Sequence, residues 1–438
     1  MSLKRRYETI RGLYIQLLDH NLSTSIVNTI PSFSVDLLLP LGSCGKAMIC
    51  FVSAKLVQEG IISWDKPIQS VIPEFIACRD YTTSHLTLRD LLNHKWSVKL
   101  YPSNRLLYPE GDYSSDDIIH SAKYLEETSD LRTGFYYSNY GYALAGIVIE
   151  RWTNRTLSDL LHEFVFEPCE MTQTTTNCVQ LKDKWCRTVS HQSTEGQQGT
   201  LLPFVQPKFL GSSGIYSTVD DIAKWIRFRF FENNCNTRIA EELNRIQTIT
   251  LNDSKSNSWI TGYSFGWAVK NMGPYQVFTH PGETYSISLK LMVIPELKKA
   301  AIVFLNEYNR PLLDSISHDL LDILRTDIIP SVPYEPLIRP AFSLTGELYL
   351  NKDCCGTYKN DVLGTLRIEC TNNDSLQLCL DKSLYTISNL KKTKDNQIYA
   401  EMISPFTFER YWLLSFSLSS VSCSVPSQLG TKVTFTRI

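Results

Sequence analysis

"FGWAVKNMGPYQVFTHPGETYSISLKLMVIPELKKAAIVFL", residues 265–305, changes the rhythm of the chain from a helical period to a period of two. The runs "FGWAV", "YQVF", "YSISLKLMVI" and "AAIVFL" are rich in β-branched and aromatic residues, and the turn formers "NMGP", "THPGE" and "PELKK" separate them. Alternation punctuated in this way predicts an antiparallel meander. The amphipathic stretch that follows, 311–325, predicts a helix covering one face of that sheet.

Upstream, "YSNYGYALAGIVIERWTNRTLSDLLHEFVF" (137–166) reads as a loop followed by two helices. Residues 101–130, rich in Asp, Ser and Tyr, read as loop and short helices. In "LPLGSCGKAMICFVSAKLVQEGIISWDKPI" (39–68), Cys50, Ala54 and Val57 follow Lys46 at helical spacing, and Gly60 ends the helix. Residues 4–19 also predict a helix, because Tyr7, Ile10, Leu13, Tyr14 and Leu17 recur every three to four residues. Downstream, the proline-rich "IIPSVPYEPLIRPAF" marks a linker at 329–343, and the short β-rich runs of 344–438 predict a small antiparallel barrel.

At 438 residues two domains are expected, the larger spanning 1–328. A net charge of −2 and 43% hydrophobic residues give no basis for nucleic-acid binding or an anionic membrane surface. The first twenty residues lack an apolar core and cleavage site of the signal-peptide kind, and no run is long enough to span a membrane, so a cytoplasmic location is expected. The twelve cysteines are scattered without metal-ligand spacing; neither a structural metal nor a cofactor is implied, and most should be buried thiols.

Three motifs carry chemistry. In "GSCGK", Ser43 and Lys46 lie three apart, which on a helix puts the lysine within reach of the serine hydroxyl. Ser-x-x-Lys also occurs at Ser63 and Ser388, and at each site a helix cap or surface pair is the alternative reading. In "YYSN", Tyr137 offers a phenol whose pKa a nearby Lys46 would lower, and the Asn139 amide could bind both the lysine and a substrate amide or ester; Tyr-x-Asn also occurs at Tyr349 and Tyr358, and a capping Asn beside a core Tyr is the alternative reading. "THPGE" holds the one His-x-Gly of the chain, His280 to Gly282. There the Glu283 N–H is a candidate oxyanion donor opposite that of Ser43, and a hairpin turn with a solvent-facing histidine is the alternative.

In this order, and with "GSCGKAMICFVSAKLVQEGIISWDKPIQSVIPEF", "LTLRDLLNH", "GSSGIYSTVDDIAKW" and "HPGETYSISLKLMVIPE" around them, the motifs resemble the serine β-lactamase and penicillin-binding-protein superfamily. The class C β-lactamase and esterase-like branch fits best, and the resemblance covers about residues 36–325. "CCGTYKNDVLGTLRIE" more weakly resembles the lipocalin-like barrel that some members append.

The resemblance implies an α+β fold of the β-lactamase/transpeptidase type, with an antiparallel sheet flanked by helices. It implies Ser43 as acylated nucleophile and Lys46 with Tyr137 as the proton-transfer pair, leaving open which is the base. Asn139, His280, Gly282 and Glu283 would bind substrate, with His280 standing where many members carry lysine. The sheet edge before Ser43 should be shortened or rebuilt, and the Glu283 carboxylate should disfavour anionic substrates.

The expected activity is hydrolysis or acyl transfer on a small ester, thioester or lactone, as in natural-product pathways. An isomerase or cyclase using Lys46 and Tyr137 is the alternative, then a non-catalytic binding protein. A homodimer is compatible with the sequence.

Overall fold

The computed structural model describes residues 13–19, 23–28, 36–98, 113–177, 209–232, 236–250, 260–284, 287–306 and 309–328. It also describes the segments 347–348, 355–360, 364–370, 376–380, 386–392, 398–403, 411–416, 420–424 and 432–437.

An eight-stranded antiparallel sheet forms the frame. Its strands are β1 (Leu13–Leu18), β2 (Ser23–Asn28), β5 (Thr248–Ile249), β6 (Ile260–Ser264), β7 (Trp267–Met272), β8 (Tyr275–Glu283), β9 (Ser288–Ile294) and β10 (Lys299–Leu305). They run in the order β2-β1-β10-β9-β8-β7-β6-β5. A separate two-stranded pairing joins β3 (Leu39–Pro40) to β4 (Tyr216–Ser217). The meander from β6 to β10 follows the sequence pattern, since each hairpin connects neighbours.

Residues 13–18 correct the helical reading of 4–19, whose earlier part lies outside the described residues. They form a strand, with Leu13 opposite Leu305 and Leu18 opposite Ala300. Leu13 and Ile15 join one apolar cluster and Tyr14 and Leu18 the other, so both faces are buried. A strand buried on both faces carries an almost continuous apolar run, which by chance also satisfies helical spacing. β2 and β1, which precede Ser43 in the chain, form one edge of the sheet.

Four helices flank the sheet and position the site: α1 (Lys46–Gln58), α2 (Leu88–Leu92), α3 (Asn139–Thr153) and α4 (Arg310–Thr326). α4 packs Leu313, Ile316 and Leu320 against Ile15, Met292 and Val303, closing one face as its amphipathic pattern predicts. The other face meets α1 and α3, which are almost wholly buried from Lys46 to Ala54 and from Tyr140 to Ile149. Each fully buried Leu, Ile or Val on these faces contributes about 1.5–3 kcal/mol. That adhesion holds the two helix starts at one level.

Towards the C-terminus, β12 (Gly356–Asn360) to β19 (Lys432–Arg437) are eight consecutive antiparallel strands, and β19 pairs back onto β12. The ring is closed by Tyr358 opposite Arg437. β11 (Glu347–Leu348) adds to β15 (Thr386–Lys392) outside it. The linker at 329–343 lies outside the described residues.

Candidate active site

Ser43 sits in a 3-10 turn, Gly42–Gly45, that runs directly into α1. Its carbonyl accepts from the Lys46 N–H, while neither the turn nor α1 has a side-chain cap. The hydroxyl is therefore not used as a cap and is only partly covered. Two glycines make this turn possible. Gly42 has φ +50, and a Cβ there would stand 3.0 Å from both the N and the O of Glu283. A Cβ at Gly282 would stand 2.1 Å from the Leu41 carbonyl oxygen. β8 is thus laid backbone to backbone against the Gly42–Gly45 turn, and the Cys44 thiol donates to the His280 carbonyl at 3.2 Å.

Lys46, 1% exposed, points back along the turn. Its Nζ lies 2.9 Å from Ser43 Oγ, 2.8 Å from Asn139 Oδ1 and 2.9 Å from the Ser212 carbonyl. The last two are pure acceptors, so they bind two N–H groups whether the lysine is ammonium or amine. The third position decides the chemistry. As ammonium the group donates to Ser43 Oγ; as amine its lone pair faces the serine proton. Burial lowers the Lys46 pKa from 10.5 to about 7, so the amine is well populated at neutral pH. The rings of Tyr137 and Tyr142 flank the nitrogen, with centroids at 5.3 and 5.2 Å.

Tyr137 donates its hydroxyl to Ser43 Oγ at 2.7 Å from the loop just before α3. The Ser138 hydroxyl caps that helix by accepting from Gly141 N–H at 2.9 Å, which leaves Asn139 as its first residue, turned to Lys46. The expectation of a lowered tyrosine pKa is reversed. Burial raises it well above 10, and the hydrogen bond to Ser43 offsets only part of the rise. The phenol stays protonated and Lys46 is the group that titrates near neutrality.

His280 is 4% exposed and lies within β8, opposite Leu291 of β9. "HPGE" is strand and not a hairpin turn, because its backbone pairs with β9 as far as Glu283 opposite Ser288. His280 Nδ1 is 2.8 Å from the Pro281 carbonyl, an acceptor only, so Nδ1 carries the hydrogen and Nε2 accepts from the Tyr263 hydroxyl at 3.2 Å. Burial, aided by Lys46, lowers its pKa to about 3. The imidazole is neutral where a lysine would place a charge.

Glu283 carries no free charge into the cleft. Arg310 Nη1 donates to both its carboxylate oxygens at 3.1 Å, and Arg310 Nε also donates to Asp314 at 2.9 Å. This corrects the expectation that the carboxylate repels anions. Ser63 accepts from Asp65 N–H in the turn after α1, and Ser388 lies in β15.

Reading motifs from sequence missed three contributors. Ser212 acts through a backbone carbonyl, which no side-chain motif reveals. Tyr263 belongs to β6 and meets His280 only through sheet pairing. His94, in "LLNH", packs its ring on Tyr137 at a centroid distance of 4.4 Å. No cluster of metal-ligating side chains is found among the described residues, and no helix among them is long and apolar enough to cross a membrane.

An antiparallel sheet flanked by helices, with a serine held between a buried lysine and a tyrosine, is a fold of the β-lactamase/transpeptidase type. The family model described as Beta-lactamase matches residues 25–321, more than half of the chain, and the chain belongs to that family. Among curated relatives, an unguisins hydrolase of Aspergillus campestris is 26% identical over 208 residues, 43% of this chain and 37% of that protein. A second, of Aspergillus violaceofuscus, is 20% identical over 292 residues, 60% of this chain and 52% of its own length. The chain thus spans about half or less of these relatives.

Solved structures share the fold. An octameric penicillin-binding protein homologue from Pyrococcus abyssi gives a TM-score of 0.60 at 16% identity, covering 98% of this chain and 97% of that one. A D-amino acid amidase from Ochrobactrum anthropi gives 0.58 at 19% identity, covering 69% and 88%.

Proposed function

We propose that the protein hydrolyses an amide or ester of an uncharged acyl group through an acyl-Ser43 intermediate. The observation that carries this reading is the placement of Ser43 Oγ between Lys46 Nζ at 2.9 Å and Tyr137 Oη at 2.7 Å. A serine merely capping a helix would need neither neighbour.

In the acylation step the Lys46 amine takes the Ser43 proton as Oγ bonds to the substrate carbonyl carbon. The carbonyl π pair moves to oxygen, and the oxyanion is held by the N–H groups of Ser43 and Glu283. Collapse breaks the bond to the leaving group. That group takes the Tyr137 proton, and the Lys46 ammonium returns a proton to the phenolate, which leaves Lys46 as the amine again. Water then attacks the acyl carbon, giving up a proton to Lys46, and Ser43 leaves as the alcohol. The roles of base and relay follow from the opposite pKa shifts of the two groups.

The relatives named unguisins hydrolase and D-amino acid amidase favour an amide bond and hydrolysis over acyl transfer. The neutral His280, standing where a lysine would offer a cation, favours a substrate without a carboxylate beside the scissile bond. We assign residues 1–328 to the hydrolase unit, in the class C and esterase-like branch, and 344–438 to a second unit beyond the linker. The free thiols, Cys78 exposed among them, fit a reducing cytosol.

A fluorophosphonate probe tests the reading. Intact-mass analysis should show one adduct on wild type that Ser43→Ala loses, and D- and L-amino acid anilides and p-nitrophenyl esters should then report turnover. Absence of the adduct would refute the acyl-enzyme. Full turnover by Ser43→Ala together with loss in Tyr137→Phe would turn the site into an isomerase.

A further inference from the structure

The backbone that presents Tyr137 ends on one residue, His94. It follows α2, which a capping box of Thr87 and Asp90 starts. His94 itself adopts φ 56, a left-handed conformation that a side chain seldom takes. In that conformation its carbonyl accepts from Tyr136 N–H at 2.8 Å, while its Nδ1 accepts from Ser138 N–H at 3.0 Å. The amides on either side of Tyr137 are therefore both tied to His94, and the imidazole packs on the Tyr137 ring.

The tautomer follows from these bonds. Nδ1 accepts, so the hydrogen of the neutral ring is on Nε2, which is buried and has no hydrogen-bond partner among the described residues. Backbone strain and an unmatched donor are both costs, and a phenylalanine would fill the same space without the second. What the imidazole alone supplies is the acceptor for Ser138. Burial, with Lys46 and His280 nearby, holds the ring well below the usual histidine range and keeps that acceptor available.

We infer that His94 is a positioning residue that fixes the Tyr136–Ser138 backbone and so holds the Tyr137 hydroxyl on Ser43 Oγ. The inference rests on the reading of Ser43 and Tyr137 as the reacting pair.

The test is the second-order rate of Ser43 labelling by the fluorophosphonate. His94→Phe keeps the stacking and removes the acceptor, and should slow labelling by about tenfold to a hundredfold, as a small misplacement of a reacting group does. His94→Asn keeps an acceptor near Nδ1 and tolerates positive φ, and should stay within about fivefold of wild type. In a Tyr137→Phe background His94→Phe should add less than about twofold, because no hydroxyl remains to be placed.

Wild-type rates in His94→Phe, or losses that multiply in the double variant, would overturn the inference. If His94→Phe does not fold, His94→Asn against His94→Gln gives the same comparison, and equal rates for the two overturn it. Failure of wild type to label refutes the acyl-enzyme reading instead. A crystal structure of His94→Phe or, failing that, His94→Gln then decides this one. Tyr137 Oη still within hydrogen-bond reach of Ser43 Oγ would overturn it, and displacement of the hydroxyl would uphold it.

Discussion

Asn139→Asp should turn the Lys46 amine into a standing cation and silence Ser43 at neutral pH without removing any group that reacts. Asn139 Oδ1 lies 2.8 Å from Lys46 Nζ. At that distance and an effective dielectric of about 20, a carboxylate attracts the ammonium by about 6 kcal/mol. The new carboxylate's own desolvation takes back most of it, leaving a rise of about two pKa units, in the middle of the range for ion pairs. The lysine midpoint then moves from about 7 to about 9. At about pH 7 the amine fraction falls from about one half to about one hundredth, a loss of about fiftyfold in labelling rate.

The sign is fixed by the mechanism: labelling needs the unprotonated lysine, so the rate rises with pH through the midpoint in both proteins. The assay is the pH dependence of fluorophosphonate labelling from about pH 5.5 to 10.5, a range that spans both midpoints. Wild type should level off above about pH 8, and the two curves should converge near pH 10. A variant midpoint still near 7, or a wild-type profile without an inflection there, would refute Lys46 as the base.

Other outcomes follow from packing. Gly42→Ala should cost about 1–3 kcal/mol and slow labelling at least tenfold, because a Cβ at φ +50 meets the Glu283 backbone at 3.0 Å; thermal unfolding and labelling read the two effects. Ile15→Ala should cost about 2–5 kcal/mol by denaturant unfolding, since Ile15 is 0% exposed in β1; a change below about 0.5 kcal/mol would contradict the strand. Arg310→Met exposes the Glu283 charge and should raise KM for an anionic acyl ester by about threefold to tenfold relative to a neutral one.

The meander, α4 and the Ser43–Lys46 pair were legible because each depends on local spacing. Hairpin strands pair with their neighbours, and residues three apart share a turn. β1 was not legible, because its partner is almost three hundred residues away and burial on both faces erases alternation. The Pro and Gly of "HPGE" suggest a turn, yet the segment is strand, and Gly282 serves the close approach of β8 to Leu41 and Cys44. Tyr137 and Asn139 were legible as a motif, while the direction of the tyrosine shift was not. It depends on the burial of the phenol, whose ring neighbours His94 and His280 come from distant parts of the chain. The lysine's third partner, a main-chain carbonyl, has no residue identity to read.

The neutral imidazole in β8 bears on how substrate arrives. With His280 uncharged, Lys46 near its midpoint and Glu283 matched by Arg310, the cleft presents little net field to approaching molecules. Encounter is then a matter of diffusion and fit, at an unsteered rate of about 10⁵–10⁶ M⁻¹s⁻¹. For a neutral acyl substrate, kcat/KM should change by less than about twofold between about 0.02 and 0.5 M NaCl, a range over which charge-guided association falls steeply.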